Sequence, residues 1–323
     1  MRPPRSRFFP SLPTLAVALA VVLAGCARAG APAASGPSGP TASTTGPTFP
    51  VTVTDDDGVT VTIDAPPSRI VTFAPSATEI VYALGLGDRL VGVSGPYDDH
   101  PPAAKRVEEI GGAGEFGVDP NLEKVVSLQP DLFLTIAGGD RWKERLRDLG
   151  VPVFTIDSTD LNDVAHDVET VGRLTGATDA AAEVASELLS QADQVEQRVA
   201  GEPAVSCFFE VFYPPLLTVG PDTFIGDLLD RAGCDSVSDH AKTDYPTWSV
   251  DDLVREDPRV YLVSSESGVT ARAVAERPGF GAVGAVAGGR VVLIDSDLVS
   301  RPGPRIAAGL RLLAEALHPE AFA

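Results

Sequence analysis

The four histidines are the residues best suited to acid–base chemistry or metal binding, and they are scattered along the chain. They are His100, His166, His240 and His318. No two of them stand four residues apart, whereas zinc sites usually draw ligands from closely spaced histidines and cysteines. A hydrolase would need a base beside its nucleophile, and no histidine is placed to show one. Only His100 and His240 are expected in loops that could line a site, so direct zinc or manganese binding and an extracellular hydrolase stay as alternatives.

Two glycine-containing strings could in principle hold a phosphate or a nucleophile. Residues 112–117, GAGEFG, match the G-x-G-x-x-G pattern, but a dinucleotide site needs that pattern between a strand and a helix. Here the string follows the polar residues 107–109 and leads into Asp119 and Pro120. Residues 92–96, GVSGP, lack the final glycine of a nucleophile elbow. The sequence therefore predicts no catalytic residue, no resident cofactor and no metal ligand.

The charge of the chain excludes some classes of partner. The 323 residues carry a formal net charge of −20 at pH 7. Nucleic-acid binding requires clustered lysine and arginine, and adsorption to anionic lipid requires the same. We therefore expect neither nucleic-acid binding nor direct adsorption to a lipid surface.

The first residues have the pattern of a targeting segment. Arg2, Arg5 and Arg7 precede an apolar run over residues 15–23, which is too short to span a bilayer as a helix. Residues 23–26, LAGC, resemble the lipobox at which bacterial lipoproteins are cleaved and lipidated. We predict a signal peptide over residues 1–25 and a lipid on Cys26 that anchors the protein to the extracytoplasmic face of the cell membrane. Residues 26–48, rich in Ala, Gly, Pro, Ser and Thr, are predicted to be a disordered tether.

The remaining sequence alternates between strand and helix patterns. A hairpin is predicted over residues 51–63 around Asp57 and Gly58, and Ser76 with Glu79 forms a capping box that should begin a helix. Alternation continues to residue 174 and resumes at residue 205, which is typical of parallel β–α units. Residues 179–200 contain neither Gly nor Pro and predict one long helix. The predicted fold is α/β, with an N-terminal lobe over 49–178, a linking helix over 179–201 and a C-terminal lobe over 202–323.

The two predicted lobes share a local phrase. Residues 122–131 and residues 250–259 each combine a short helix, a proline turn and the start of an apolar strand. This repeat indicates that the two lobes are related in structure.

Two cysteines fall in the second predicted lobe. In an exported protein Cys207 and Cys234 could form a disulfide, or they could remain two buried thiols. The sequence leaves both alternatives open.

Four longer segments of the chain can be recognised. They lie within residues 69–101, 121–134, 218–233 and 300–306, and they include RIVTFAPSATEIVYALG, NLEKVVSLQPDLFL, TVGPDTFIGDLLDRAG and SRPGPRI. In this order they resemble the substrate-binding proteins of ABC importers for cobalamin and iron–siderophores, and the resemblance covers residues 69 to about 318. It implies two α/β lobes joined by one long rigid helix, with a ligand cleft between the lobes. It also implies a monomer that does no chemistry and docks on a permease dimer powered by a separate ATPase.

The resemblance further implies which residues line the cleft. Aromatic side chains in such loops suit a large flat or amphipathic ligand. The ligand-binding residues expected are Ser76, Thr78, Tyr97, Phe116, Trp142, Phe212, Tyr213, Tyr245, Trp248 and Arg301.

The nature of the ligand stays open between cobalamin and a ferric siderophore. Tyr245 matches a cleft aromatic position of cobalamin binders, whereas Ile136 stands where those proteins can have tryptophan. Arg301 could bind a ligand carboxylate or hydroxamate, or it could pair with a neighbouring acid such as Asp297.

The resemblance also implies one acidic docking residue on each lobe, Glu123 and Asp251, which would meet arginines of the permease. The alternative is that both are ordinary solvated acids that favour a helix N-terminus. Because Asp251 is one methylene shorter than glutamate, Asp252 could take its place.

Overall fold

The computed structural model describes residues 48–112, 119–265 and 268–323. These residues fall in one compact unit over Thr45–Ala323. The predicted signal peptide, the lipidation site Cys26 and nearly all of the predicted tether lie outside the described residues, and so does Phe116.

The N-terminal part contains a hairpin and a parallel sheet. Strands β1 (Val51–Thr54) and β2 (Thr60–Ile63) pair antiparallel with Val51 opposite Ile63, which confirms the predicted hairpin. The sheet contains β3 (Ile70–Phe73), β4 (Leu90–Gly92), β5 (Leu132–Ile136) and β6 (Val153–Ile156). Its spatial order is β4-β3-β5-β6 and every pairing is parallel.

The C-terminal part repeats this sheet. It contains β7 (Val205–Glu210), β8 (Cys234–Ser236), β9 (Val260–Ser264) and β10 (Val291–Ile294), in the order β10-β9-β7-β8 and again parallel. In both sheets the strand that comes first in sequence lies between the second and the third. Strand β8 is absent from the sequence prediction because its three residues, CDS, carry no apolar alternation.

A disulfide joins neighbouring strands of this second sheet. It links Cys207 on β7 to Cys234 on β8, with their Cα atoms 5.8 Å apart. The structure thus decides between the two alternatives that the sequence left open.

The helices surround the two sheets. They are α1 (Pro75–Ala83), α2 (Leu122–Ser127), α3 (Asp140–Asp148), α4 (Leu161–Thr175), α5 (Thr178–Val199), α6 (Phe224–Arg231), α7 (Val250–Glu256), α8 (Ala271–Ala275), α9 (Gly284–Ala287), α10 (Ser296–Val299) and α11 (Ile306–Leu317). The long helix predicted over residues 179–200 is confirmed as α5, which begins and ends one residue earlier. Helices α8, α9 and α10 escape prediction because four or five residues are too few to show a helical period. None of the described helices combines the length and the apolar character needed to cross a membrane.

The long helix α5 connects the two sheets in sequence and packs against α4 and α11. Its buried face is a stripe at helical spacing: Ala181, Ala185, Leu188, Ala192, Val195 and Val199. Gly172 of α4 lies directly against Ala181, and a side chain at position 172 would collide with it. One apolar core therefore runs from the first sheet through α4, α5 and α11 into the second.

The repeated phrase occupies the same place in each half. Asn121 caps α2 and Ser249 caps α7, each by accepting a hydrogen bond from a backbone amide of the first turn. Each helix is followed by a residue with positive φ, Gln129 (49°) and Asp257 (45°), then by a proline and the third strand of its sheet. Among the described residues other than glycine, only these two have positive φ. The two copies thus share a strained turn as well as a sequence pattern.

Candidate ligand-binding site

The ligand-binding residues expected from the sequence all follow the carboxyl ends of parallel strands, apart from Phe116, which lies outside the described residues. Ser76 and Thr78 follow β3, Tyr97 follows β4, Trp142 follows β5, Phe212 and Tyr213 follow β7, Tyr245 and Trp248 follow β8, and Arg301 follows β10. In open α/β sheets the carboxyl edge is where ligands bind. We call these segments, the loops and first helical turns that follow the strands of both sheets, the interlobe site.

Contacts between the two carboxyl edges show that they face each other. Arg305 beside α11 donates two hydrogen bonds to the carboxylate of Glu79 on α1, at 2.8 and 2.6 Å. The backbone amide of Leu161 donates to the carboxylate of Asp227 on α6, at 3.2 Å. Segments that follow the carboxyl ends of the two sheets therefore meet.

Arg301 lies at the centre of the junction and has carboxylate partners from both halves. Its guanidinium nitrogens are 2.7 Å from Asp297, 3.1 Å from Asp99 and 3.6 Å from Glu79. Burial alone would raise the pKa of Asp99, but the hydrogen bond and the charge of Arg301 hold it below its ordinary value. Of the two partners considered for Arg301 in the sequence, the structure shows the neighbouring acid Asp297.

The capping box predicted for Ser76 and Glu79 is wrong. Helix α1 begins at Pro75, its cap is Ala74, and no side chain caps its first turn. The Glu79 side chain is only 3% exposed and binds Arg305 instead; these hydrogen bonds raise the pKa of Arg305. The pattern S-x-x-E arises here by coincidence, because Glu79 is used for a contact more than two hundred residues away in sequence.

Ser76 and Thr78 are buried rather than presented to the site. The Thr78 hydroxyl is fully buried and pairs with the hydroxyl of Thr72 at 2.6 Å and with the carboxylate of Asp98. Asp98 also accepts a hydrogen bond from the amide of Gly95 at 2.9 Å. Thr78 therefore supports the loop that carries Tyr97 and has no exposed surface to offer a ligand.

Three of the expected aromatic residues are exposed at the two edges. Tyr97 is 67% exposed, Tyr245 57% and Phe212 47%, although side chains of this size usually bury most of their surface. Ile136, at the carboxyl end of β5, is 44% exposed and adds apolar surface to the first edge. Exposed apolar surface on both facing edges is suited to hold a large amphipathic ligand.

Trp142, Tyr213 and Trp248 are half-buried and form the next layer. Trp142 packs on Phe73 and Phe133, with ring centroids 5.4 and 5.8 Å apart, and it lines a cavity of about 500 Å³. Trp248 packs on Phe208 and on His240, at 6.2 and 5.3 Å. The buried indole nitrogen of Trp248 has no hydrogen-bond partner among the described residues.

Tyr213 rests on a buried ion pair that the sequence did not reveal. The Arg277 guanidinium stacks on the Tyr213 ring, 4.2 Å from its centroid, and binds both oxygens of Glu210 at 2.5 and 2.9 Å. Glu210 also accepts a hydrogen bond from the Tyr261 hydroxyl. The one available signal was a lone glutamate at the end of the apolar strand VSCFFE. Such a charge is stable inside a protein only when paired.

The described residues contain no group of three or more His, Cys, Asp and Glu side chains arranged to hold a metal ion. His240 contacts Trp248, and His100 lies in the loop after β4.

Glu123 and Asp251 occupy matching positions on the two halves. Each lies in the first turn of its helix, α2 or α7, and each is exposed. These helices run opposite to their strands, so their first turns lie on the carboxyl side of each sheet. Asp252 is engaged otherwise, with Ser249 and with Arg255 at 2.6 Å each.

Comparison with known proteins places the chain in a family. A family model described as periplasmic binding protein matches residues 70–298. The uncharacterized ABC transporter substrate-binding lipoprotein YvrC of Bacillus subtilis is 35% identical over 94% of this chain and 95% of its own length. A cobalamin-binding protein of Halobacterium salinarum is 33% identical over 94% of this chain and 83% of its own. The crystal structure of the periplasmic vitamin B12 binding protein BtuF of Vibrio cholerae superposes with a TM-score of 0.69 and 25% identity, covering 80% of this chain and 98% of that one.

The chain therefore belongs to the periplasmic binding protein family. Proteins of this family bind solutes for transport and are not enzymes, so the chain is an extracytoplasmic substrate-binding protein of an ABC transporter. The resemblance to cobalamin and iron–siderophore binding proteins and the predicted two-lobed α/β fold are confirmed.

Proposed function

We propose that this protein captures a corrinoid, cobalamin foremost, between its two lobes and delivers it to the permease of an importer. The observation that carries the proposal is the set of exposed aromatic side chains, Tyr97, Phe212 and Tyr245, on carboxyl edges that face each other. A corrin is a broad ring with apolar faces and polar amide groups around it, and aromatic walls suit its faces. The cobalamin-binding relative supports this choice over a ferric siderophore.

The proposal includes a lipid anchor on Cys26 and docking through Glu123 and Asp251. The LAGC string before the tether supports the anchor, and the name of the YvrC relative as a lipoprotein agrees with it. Two separated and exposed carboxylates on the carboxyl side of the sheets support docking, because they can meet two cationic pockets and fix orientation.

Tryptophan fluorescence tests the ligand. Trp142 and Trp248 are the only tryptophans in the chain; Trp142 lies in the first turn of α3, after β5, and Trp248 lies in the loop between β8 and α7. The purified full chain in detergent is titrated with cyanocobalamin and, separately, with ferric siderophores, and emission is corrected for ligand absorbance. Saturable quenching by cyanocobalamin is expected, and Tyr245→Ala should weaken it by about tenfold through loss of an aromatic wall.

The same titration contains the contrary outcomes. Quenching by a siderophore alone would keep the transport role and move the ligand to iron. No response to either ligand would contradict the proposal. Leu149→Ala is a matched control, because Leu149 is 61% exposed and follows α3 on the way to the amino end of β6, away from the carboxyl ends of the strands; it should leave quenching unchanged.

A further inference from the structure

Helix α3 carries Trp142 but has few apolar residues of its own. Its nine residues read DRWKERLRD, and all but Trp142 and Leu146 are charged. Its cap, Gly139, makes no side-chain hydrogen bond, and so short a helix is marginal by itself in water. Burial of apolar side chains is therefore not enough to hold α3 in one position against the sheet.

The helix has a face on the interlobe site and a face on the N-terminal hairpin. The residues of α3 that line the cavity of about 500 Å³ are Asp140, Arg141, Trp142 and Arg145. Lys143 and Arg147, which are one turn apart, bind the hairpin instead. The Lys143 ammonium lies 2.8 Å from the carboxylate of Asp57, and the Arg147 guanidinium lies 3.3 Å from that of Asp55.

These ion pairs are withdrawn from water. The side chains of Lys143 and Asp55 are both 0% exposed. Within the described part of the chain, Lys143 makes its one ion pair with Asp57. Because a buried charge without a partner is strongly unfavourable, α3 cannot move away from the hairpin unless Lys143 reaches water or loses its charge.

The hairpin turn is itself fixed to the first sheet. Asp55 accepts hydrogen bonds from the amide of Val59, at 2.7 Å, and from the amide of Thr155 on β6, at 3.2 Å. The Thr155 hydroxyl donates to Asp57 at 2.7 Å, and its carbonyl accepts from the amide of Asp56 at 3.3 Å. The turn is therefore bonded to the carboxyl half of β6 on one side and to α3 on the other.

We propose that the hairpin turn, residues 55–57, is a clamp that sets the position of α3 and so of Trp142 in the ligand site, an inference whose ligand part rests on the proposed function. Asp55 and Asp57 are positioning residues, since they act through α3. Trp142 directly precedes Lys143, and its ring centroid lies 6.0 Å from the ammonium. When Lys143 is released from Asp57, α3 gains freedom and Trp142 moves with it.

Quenching by acrylamide, a neutral probe of indole exposure, measures the setting of Trp142 without a ligand. The full chain in detergent carries Trp248→Phe, so that Trp142 is its only tryptophan, and either Asp57→Asn or Lys143→Met is added. Each should raise the acrylamide quenching constant of Trp142 by about twofold, because α3 is locally loosened. Calorimetry with cyanocobalamin, on chains that keep both tryptophans, should show binding about tenfold weaker.

The variant Lys143→Met keeps the test decisive if Asp57→Asn does not fold. Methionine retains the unbranched stem of lysine and leaves no ammonium buried without a partner. Asp57, whose side chain is 24% exposed, keeps its hydrogen bond from Thr155.

Two controls separate the clamp from a general effect on the fold. Asp64→Asn removes a carboxylate just after the second strand of the hairpin, where the side chain is exposed and makes no ion pair in the part of the chain that the structure describes. Both readouts should stay unchanged in this variant. Trp248, observed alone in a Trp142→Phe chain, should keep its acrylamide quenching when Lys143→Met is added.

Each outcome decides the matter. The clamp is overturned if Lys143→Met leaves the quenching of Trp142 unchanged, or if Trp248 becomes exposed to the same degree. If Trp142 becomes exposed while the affinity for cyanocobalamin stays the same, the clamp stands and its ligand part is overturned. If the unaltered chain binds no cobalamin, the proposed function fails, and the acrylamide result still decides the clamp by itself.

Discussion

Arg301 shows how one side chain can be assigned only when its distant partners are known. The spacing to Asp297 is four residues and was visible in the sequence, whereas Asp99 is 202 residues away. The structure adds that Arg301 joins the two halves through Asp99, Glu79 and Asp297; its contact with a ligand stays a prediction. The sequence could identify Arg301 as a residue of the site, but it could not identify all the carboxylates that bind it.

Asp167 on α4 is a buried carboxyl whose pKa is shifted far enough to affect the stability of the fold near neutral pH. Its side chain accepts a hydrogen bond from Ser158 at 2.5 Å and lies in a pocket near Asp56, Asp163 and Asp157. Burial, with added repulsion from these acids, raises its pKa from 3.8 to about 7. The folded chain therefore holds a proton that the unfolded chain releases above pH 4.

This proton predicts how stability changes with pH. Below about pH 4, where Asp167 is protonated in both states, it does not lower the free energy of unfolding. As the pH rises towards 7 the free energy of unfolding falls, and above pH 7 this loss is complete. Asp167→Asn should therefore raise the free energy of unfolding at pH 8 by about 2 to 4 kcal/mol, and change it little at pH 4.5. Urea unfolding at both pH values measures this.

Asp163, one turn earlier on the same helix, supplies the opposite control. Burial would raise its pKa, but hydrogen bonds from Thr159 lower it below the ordinary value. Its ionised form therefore stabilises the fold at neutral pH, and that contribution is lost on acidification. Asp163→Asn should destabilise at pH 8; an Asp167→Asn variant that also destabilises there would contradict the assigned protonation.

At the scale of elements, the hairpin shows what sequence predicts and what it omits. Alternating β-branched residues and Asp57-Gly58 correctly predicted the turn. They could not show that Asp57 reaches fully buried Lys143 on α3 at 2.8 Å, or that buried Asp55 accepts from the amide of Thr155 at 3.2 Å. The residues of a turn determine its conformation. The residues that the turn contacts are distant in sequence and become neighbours only in the folded protein.

The matched helices α2 and α7 allow the docking proposal to be tested separately from ligand binding. The double variant Glu123→Ala with Asp251→Ala should abolish uptake of labelled cobalamin in cells, because the proposed docking contacts are lost. The fold should be unaffected, because both carboxylates are exposed and have no ion pair in the described part of the chain. Affinity measured by fluorescence should stay within about twofold.

A matched control removes charge from the same helix without touching the docking acids. Asp252→Asn breaks an exposed pair with Arg255 and should leave uptake near normal. Lost affinity in the double variant would mean instead that these acids serve the ligand site.

At the scale of the whole molecule, the order of lobe, helix and lobe could be predicted, because the spacing of apolar residues differs between strands and helices and is visible in each segment. The long helix was visible from 22 residues without Gly or Pro, and it is found at Thr178–Val199. The cleft between the lobes was expected from the family resemblance, but the contact between Glu79 and Arg305 could not be predicted, because they are 226 residues apart and no local pattern connects them. The exposed aromatic residues were identified through the family resemblance. Sequence alone does not tell an aromatic side chain that is exposed in a loop from one that packs into the core.

The predicted anchor concerns the whole molecule as well. Cys26→Ser should move the protein from the membrane fraction to the soluble fraction, because a single lipid-modified cysteine is the only attachment proposed. Fractionation followed by immunoblotting measures this. Retention of the variant in the membrane fraction would show that another attachment exists.

The shared strand order of the two halves has a consequence for how often a collision with the permease succeeds. Glu123 and Asp251 hold matching positions in two halves that share one strand order. A homodimeric permease has a true twofold axis, so turning the binding protein end for end presents an almost equivalent pair of contacts. Under the proposed docking, two approach directions would be productive instead of one, and about twice as many encounters would lead to docking. A permease built from two different subunits would have only one productive approach direction, and the number of productive encounters would not be doubled.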